Sequence, residues 1–185
     1  MSELTRLAAL DQLPAAGRSI EIVADRAERE SVARRLELVS LARLEARMHL
    51  SHGPRRGIFI LRGSFEAEAE QSCVVTFEPV PFAIDVPFER YFSLEKPNAT
   101  AGVAPGTAGI PLGEVVVGVE NEEPEPVFDP VLDVGEIVIE ELSLSLDPYP
   151  RSPEAETVMQ RFRGAEDEDE GGPFARLRRL RGNGS

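Results

Sequence analysis

The sequence predicts an α+β fold: an antiparallel, curved or partly barrel-like sheet with two or three helices. Three observations lead there. Long stretches of the first half alternate apolar and polar residues with period two, as half-buried strands do. Two segments repeat apolar residues at helical spacing, and each opens on Asp-x-x-Glu, a capping-box pattern. Glycine and proline clusters supply the turns that successive antiparallel strands require.

The 185 residues are enough for one sizeable core, whereas two independent domains would each be small. Residues 1–163 read as a single domain. Residues 1–17 are a partly ordered lead-in, and Ser19–Val23 alternates as a first strand. Asp25 then caps a helix with Val32, Leu36 and Val39 on its apolar face and Arg29, Arg34 and Arg35 towards its polar side. Leu41–Leu50 alternates as a strand, and Gly53–Gly57 is a turn. Gly57–Ala69 sets Phe65, Ala67 and Ala69 against Glu66, Glu68 and Glu70, one dry face and one wet. Cys73–Phe77 continues the sheet, Pro79 and Pro81 interrupt it, and Phe82–Val86 and Phe88–Leu94 resume it.

Residues 96–113 are rich in Pro, Gly, Ala and Thr and read as a flexible loop. Glu114–Val119 predicts another strand, and Glu120–Pro126 an acidic loop. Asp133 opens a helix over about 133–146, with Val134, Ile137, Val138 and Leu142 at helical spacing, though Leu142–Leu146 also alternates like a strand. Asp147-Pro148-Tyr149-Pro150 ends it. Residues 153–163 hold a turn or two of helix. Residues 164–172, with five consecutive acids from Glu166 to Glu170, read as an acidic disordered linker. Residues 173–185 read as a short basic C-terminal helix and tail, with Phe174, Leu177 and Leu180 as a stripe among arginines.

The net charge of −13 sets the whole surface against nucleic-acid phosphate. The charge is uneven, however. Arginines outnumber acids from Met1 to Arg62, and the eleven acids from Glu114 to Asp147 have no Lys or Arg among them. Such polarity suits protein partners or one small RNA-facing patch. A single cysteine, Cys73, allows no internal disulfide. His49, His52 and Cys73 lack the local spacing of a zinc site, and no nucleophile, phosphate-cradling loop or catalytic carboxylate pair stands out. The expectation is a non-enzymatic protein with no cofactor, no metal and no small-molecule substrate. With no secretory leader and no long apolar run to enter a membrane, it is expected to be cytoplasmic.

Four landmarks in order carry a family resemblance: Gln71–Val80, Asp133–Leu142, Leu144–Arg151 with its Asp-Pro-Tyr-Pro, and the acidic spacer followed by Gly172–Leu177. Over about Leu13 to Arg181 the chain resembles the YceD family of large ribosomal RNA subunit accumulation proteins, in its proteobacterial form. The resemblance implies a cytosolic accessory factor in large-subunit ribosome biogenesis, with no catalytic residue to carry over. Some members have cysteines just after the segment matching Leu142–Pro150. Here Arg151-Ser152-Pro153 stands instead, so metal or redox chemistry does not transfer.

The expected partner is a ribosomal protein or ribosome-assembly factor, bound by the acidic face Glu136, Glu140 and Glu141. The alternative is direct binding of ribosomal RNA by Arg34, Arg35, Arg176, Arg178 and Arg179.

Overall fold

The structure, a computed structural model, describes residues 4–95 and 124–168, with side chains as far as Arg161. In chain order its elements are β1 (Leu7–Ala9), β2 (Arg18–Val23), α1 (Arg26–Arg35), β3 (Ser40–His52), β4 (Ile58–Ser72), β5 (Pro79–Leu94), β6 (Glu125–Val127), β7 (Val131–Asp133), α2 (Val134–Ser145) and α3 (Ala155–Glu168). This is the predicted α+β fold. The main sheet runs β2-β3-β4-β5-β6, and β1 pairs with β7 in a second, two-stranded sheet. Pairing is antiparallel except for the short parallel contact of β5 with β6. The main sheet stays open, with β2 and β6 at its edges, and does not close into a barrel.

Period two fixes the two faces of the sheet. Leu44, Ala46, Met48 and Leu50 of β3 pair with Ala67, Phe65, Gly63 and Leu61 of β4, and the apolar side chains among them are buried together. Ile22 of β2 and Phe88 and Phe92 of β5 join the same core, as do Val32 of α1 and Val134, Ile137, Val138 and Leu142 of α2. Arg43, Glu45, Arg47, Glu66 and Glu68 take the other phase and face water. There Arg43 lies within salt-bridge distance of Glu45 (2.8 Å) and Glu66 (2.9 Å).

Prolines do not break β5. Pro79, Pro81 and Pro87 share one phase of the strand. Leu94, in the opposite phase, donates its N–H on the β4 side to Gly57 O (2.8 Å), while Glu95, in the proline phase, donates on the β6 side to Val127 O (2.9 Å). The missing proline N–H groups therefore fall on the outer edge, where no ladder bond is lost. They also blunt that edge against pairing with another chain.

Helix α1 begins as predicted, with both halves of the Asp25/Glu28 capping box formed. It ends without a glycine. Glu37 takes the left-handed conformation (φ 55°), and Leu38 N–H reaches back to Ala33 O (2.9 Å). That bond closes a Schellman turn and tucks Leu38 inward. The reversal carries Val39 off the helix, where it is half exposed instead of completing the apolar stripe. At α2 only half of a capping box forms: Asp133 Oδ1 accepts from Gly135 N (3.1 Å) and Glu136 N (3.4 Å), while the Glu136 carboxylate turns to Arg35. The last turn stays helical to Ser145, which excludes the terminal strand.

Residues 4–13 are more than a lead-in. Leu4, Ala8 and Leu10 are buried, and Arg6 N–H donates to Asp133 Oδ1 (2.8 Å). Glu125 and Pro126, expected in a loop, form β6. The linker expected from 164 begins inside α3, which continues to Glu168. The loop 96–113, the strand 114–119 and the C-terminal helix 173–185 lie outside the described residues, as do Arg176, Arg178 and Arg179.

Leu4 crosses α2 so closely that a Cβ on Gly135 would lie 2.9 Å from the Leu4 carbonyl carbon and nearer still to its oxygen. Alanine is ordinarily better than glycine in a helix by about 1 kcal/mol. Here overpacking, at about 1–3 kcal/mol, outweighs it. Gly135→Ala should therefore lower the urea midpoint, by up to about 2 kcal/mol of stability net. An unchanged or raised midpoint would show that the Leu4 segment is not docked on α2.

Candidate functional site

The β4–β5 connection does not continue the sheet. Cys73 N–H bonds Glu78 O (2.8 Å) and Phe77 N–H bonds Cys73 O (3.0 Å), which closes residues 73–78 into one tight turn. Phe77 closes it in the left-handed region at φ 62°. For a residue with a Cβ that conformation costs on the order of 1 kcal/mol, and asparagine or glycine is the usual occupant. The ring gains no packing in exchange, since Phe77 is 79% exposed.

The segment after α2 docks on this turn. Val74 N–H donates to Pro150 O (2.9 Å), and Gln71 Nε2 donates to Asp147 O (2.9 Å). Beneath the turn, Cys73 Sγ accepts N–H bonds from Ser152 (3.3 Å), Val75 (3.4 Å) and Thr76 (3.4 Å). The Ser152 and Thr76 hydroxyls lie 3.0 Å apart, and each is within hydrogen-bond distance of Glu78 Oε2 (3.0 and 2.9 Å). Two stretches far apart in sequence, Gln71–Val80 and Asp147–Ser152, are thus clasped together. The clasp displays three apolar side chains to water: Val74, Phe77 and, at 69% exposure, Tyr149.

Burial alone pushes the Cys73 thiol up. The N–H of Ser152, the Thr76 hydroxyl and the N–H groups of Thr76 and Val75 outweigh it and bring the thiol down to about 6. Cys73 is buried, as expected, but in a turn and not in a strand. The two histidines are engaged elsewhere: His49 Nδ1 with the Ser19 hydroxyl (3.2 Å), and His52 Nε2 with Leu13 O (3.1 Å). His52 lies at the opposite end of the β3–β4 ladder from Cys73.

The predicted acidic face is largely occupied from within. Glu136 takes both guanidinium arms of Arg35, which ties α2 to α1. Glu141 bonds Arg90 Nη1 (2.8 Å) and keeps little exposure; Glu125 bonds Arg90 Nη2 (2.8 Å), and Glu140 stands 3.5 Å from it. Arg90 is an inward-facing strand residue, and its guanidinium, held charged chiefly by Glu125 with Glu141 beside it, ties α2 to β5 and the edge strand β6. Glu140 alone of the three predicted acids stays exposed. Arg34 is exposed on α1, with one arm on the Ser31 hydroxyl (3.0 Å). Sequence reasoning missed Phe77 and Val74 as surface residues because Cys73–Phe77 passes for a strand by pattern, and Tyr149 because Asp147–Pro150 reads only as the end of a helix.

A family model described as Large ribosomal RNA subunit accumulation protein YceD matches residues 61–181, about two thirds of the chain. The match begins within β4, short of the lead-in at Leu13, and takes in the whole clasp. No curated protein and no solved structure matches the chain.

The depressed Cys73 value makes a pH prediction. The thiol sits near 8.5 in the unfolded chain and near 6 in the folded one. Its stabilisation is complete above the unfolded value and is lost as pH falls through the folded one. The gap in melting temperature between the natural protein and Cys73→Ala should therefore be widest at pH 9 and shrink towards pH 6. A gap constant over that range would show a thiol that stays neutral.

Proposed function

We propose that this chain, which belongs to the YceD family of large ribosomal RNA subunit accumulation proteins, acts in the cytoplasm as a non-enzymatic accessory factor that docks on a large-subunit ribosomal protein or assembly factor. A part in the accumulation of large-subunit ribosomal RNA comes with the family. The docking surface is Phe77, Tyr149 and Val74 on the clasp; Glu140, the most exposed of the three predicted acids, lies apart from it beside Arg90.

One observation carries this reading. Phe77 is a large apolar side chain held in water on a backbone conformation that disfavours it. Neither packing nor local propensity accounts for a phenylalanine there. Strain kept at an exposed position points to a use outside the fold, and aromatic side chains are the common anchors of protein interfaces. The clasp supplies the rigidity: the N–H bonds to Cys73 Sγ and the Thr76–Ser152–Glu78 cluster hold the turn without help from the ring.

Phe77→Gly separates the two roles. It removes the anchor and relieves the left-handed strain, so stability should hold or rise by up to about 1 kcal/mol. Affinity capture of the natural protein from growing cells should recover large-subunit ribosomal proteins or assembly factors, and Phe77→Gly should lose them while melting normally. Recovery of no ribosome-related protein by the natural chain, or undiminished recovery by Phe77→Gly, would remove the reading.

A further inference from the structure

A second surface lies beside the clasp and has the opposite chemistry. Between α1 and the start of β3 runs an open groove of about 530 Å³, lined by Arg26, Arg29 and Arg34 with buried Leu38 and Leu41 along its floor. Arg26, Arg29, Glu30 and Ala33 are spaced three and four apart, so they share one helix face. Three arginines against the one lining acid, Glu30, make the groove locally positive in a chain of net charge −13.

The arginines here are not spent on holding the fold. Arg26 bonds only Glu30, one turn along its own helix (2.8 Å), and its side chain is 87% exposed. Arg29 gives one arm to Ala24 O (2.6 Å), and Arg34 gives one to Ser31 on its own helix. Arg35, by contrast, bridges to Glu136 on α2 and faces out of the groove lining. The Schellman turn at Glu37 shapes the site. It swings Leu38 under the helix and leaves Val39 half exposed at the rim.

We propose that this groove binds the phosphodiester backbone of single-stranded RNA, with Arg26, Arg29 and Arg34 as the phosphate contacts. Guanidinium forks match phosphate oxygens in geometry as well as charge. The apolar floor suits ribose and base edges. Among the described residues no aromatic side chain lines the groove, so recognition is of the backbone, independent of base stacking and of sequence. The inference draws on the family's part in ribosomal RNA accumulation and stands apart from the protein contact at Phe77.

The test is fluorescence anisotropy of the full chain with a labelled 20-nucleotide oligouridylate at increasing salt. The natural protein should bind at low salt and weaken linearly in log–log form. Arg26→Glu with Arg34→Glu should bind at least about tenfold more weakly and flatten the salt slope by about 0.7 for each phosphate no longer neutralised. Arg47→Glu with Arg62→Glu makes the same charge change on the water-facing side of the sheet, where Arg47 pairs with Glu21 and Arg62 with Glu89. That control pair should stay within about threefold of the natural protein. Melting curves check that all variants fold. The proposal is overturned if the natural protein leaves the oligonucleotide unbound at low salt, or if the control pair loses as much as the groove pair. It is equally overturned if polyglutamate binds with the same arginine dependence while oligouridylate does not, which would assign the groove to an acidic protein. Phe77→Gly should bind RNA normally, so this result and the capture experiment fail independently.

Discussion

Asp133 Oδ1 accepts three backbone N–H groups, those of Arg6, Gly135 and Glu136, and the helical layer depends on that convergence. One oxygen starts α2, ends β7 and fixes the N-terminal segment. The residue carrying it is also the ladder partner of Leu7. The Arg6 side chain then extends the connection to α1 through Glu28 (2.8 Å), and hydrogen bonding from Arg6 holds the Glu28 carboxyl below its usual range. Glu28 meanwhile closes the capping box of α1 with its other oxygen on Asp25 N–H (2.9 Å). The starts of both helices are therefore satisfied within one network. A carboxylate at each helix start also complements the partial positive charge there.

The same economy governs the acidic second half. An acidic surface facing a basic partner is the simplest reading of eleven carboxylates without a cation, but sequence distance hides their cations. Glu136 finds Arg35 across 101 residues and Glu141 finds Arg90 across 51. Both pairs are partly screened by solvent, so each contributes modestly to stability. Their larger effect is orientation. Arg35 sets α2 beside α1, and Arg90 sets its far half over β5 and β6. What remains exposed is smaller and more apolar than the charge count suggests.

Legibility follows the range of the interaction. Asp25 and Glu28 are readable because a capping box is complete within four residues. The alternation of β3 and β4 is readable because a sheet face repeats every second residue. The Schellman turn is not, because Glu37 occupies the place where glycine would announce it. The turn at Cys73–Phe77 misleads for the same reason: β-branched residues fill a turn, and Phe77 closes it in the left-handed conformation where glycine or asparagine would announce it. Pro79 and Pro81 mislead in the other direction, since only the register shows that their phase lies on the open edge. The lead-in is obscure because Arg6 answers to Asp133, 127 residues away.

The two surfaces hidden or only half visible in the sequence belong to one end of the molecule. Val39 N–H bonds Glu70 O (2.8 Å), and Ser40 pairs with Glu70 at the start of β3, so the arginine groove abuts the last turn of the β4 ladder. Two residues further along β4, Ser72 pairs with Pro79 and the clasp begins. At about 3.3 Å per residue that step is roughly 7 Å along the strand. The register that places Phe65 and Ala67 in the core therefore also brings a basic groove and an aromatic turn together at one rim. On the two proposals above, this rim would offer guanidinium groups to RNA and apolar rings to protein side by side. The water-facing side of the sheet sets Arg43, Arg47 and Arg62 against Glu21, Glu45, Glu66, Glu68 and Glu89 and is net acidic, so it lacks the cationic character of the groove.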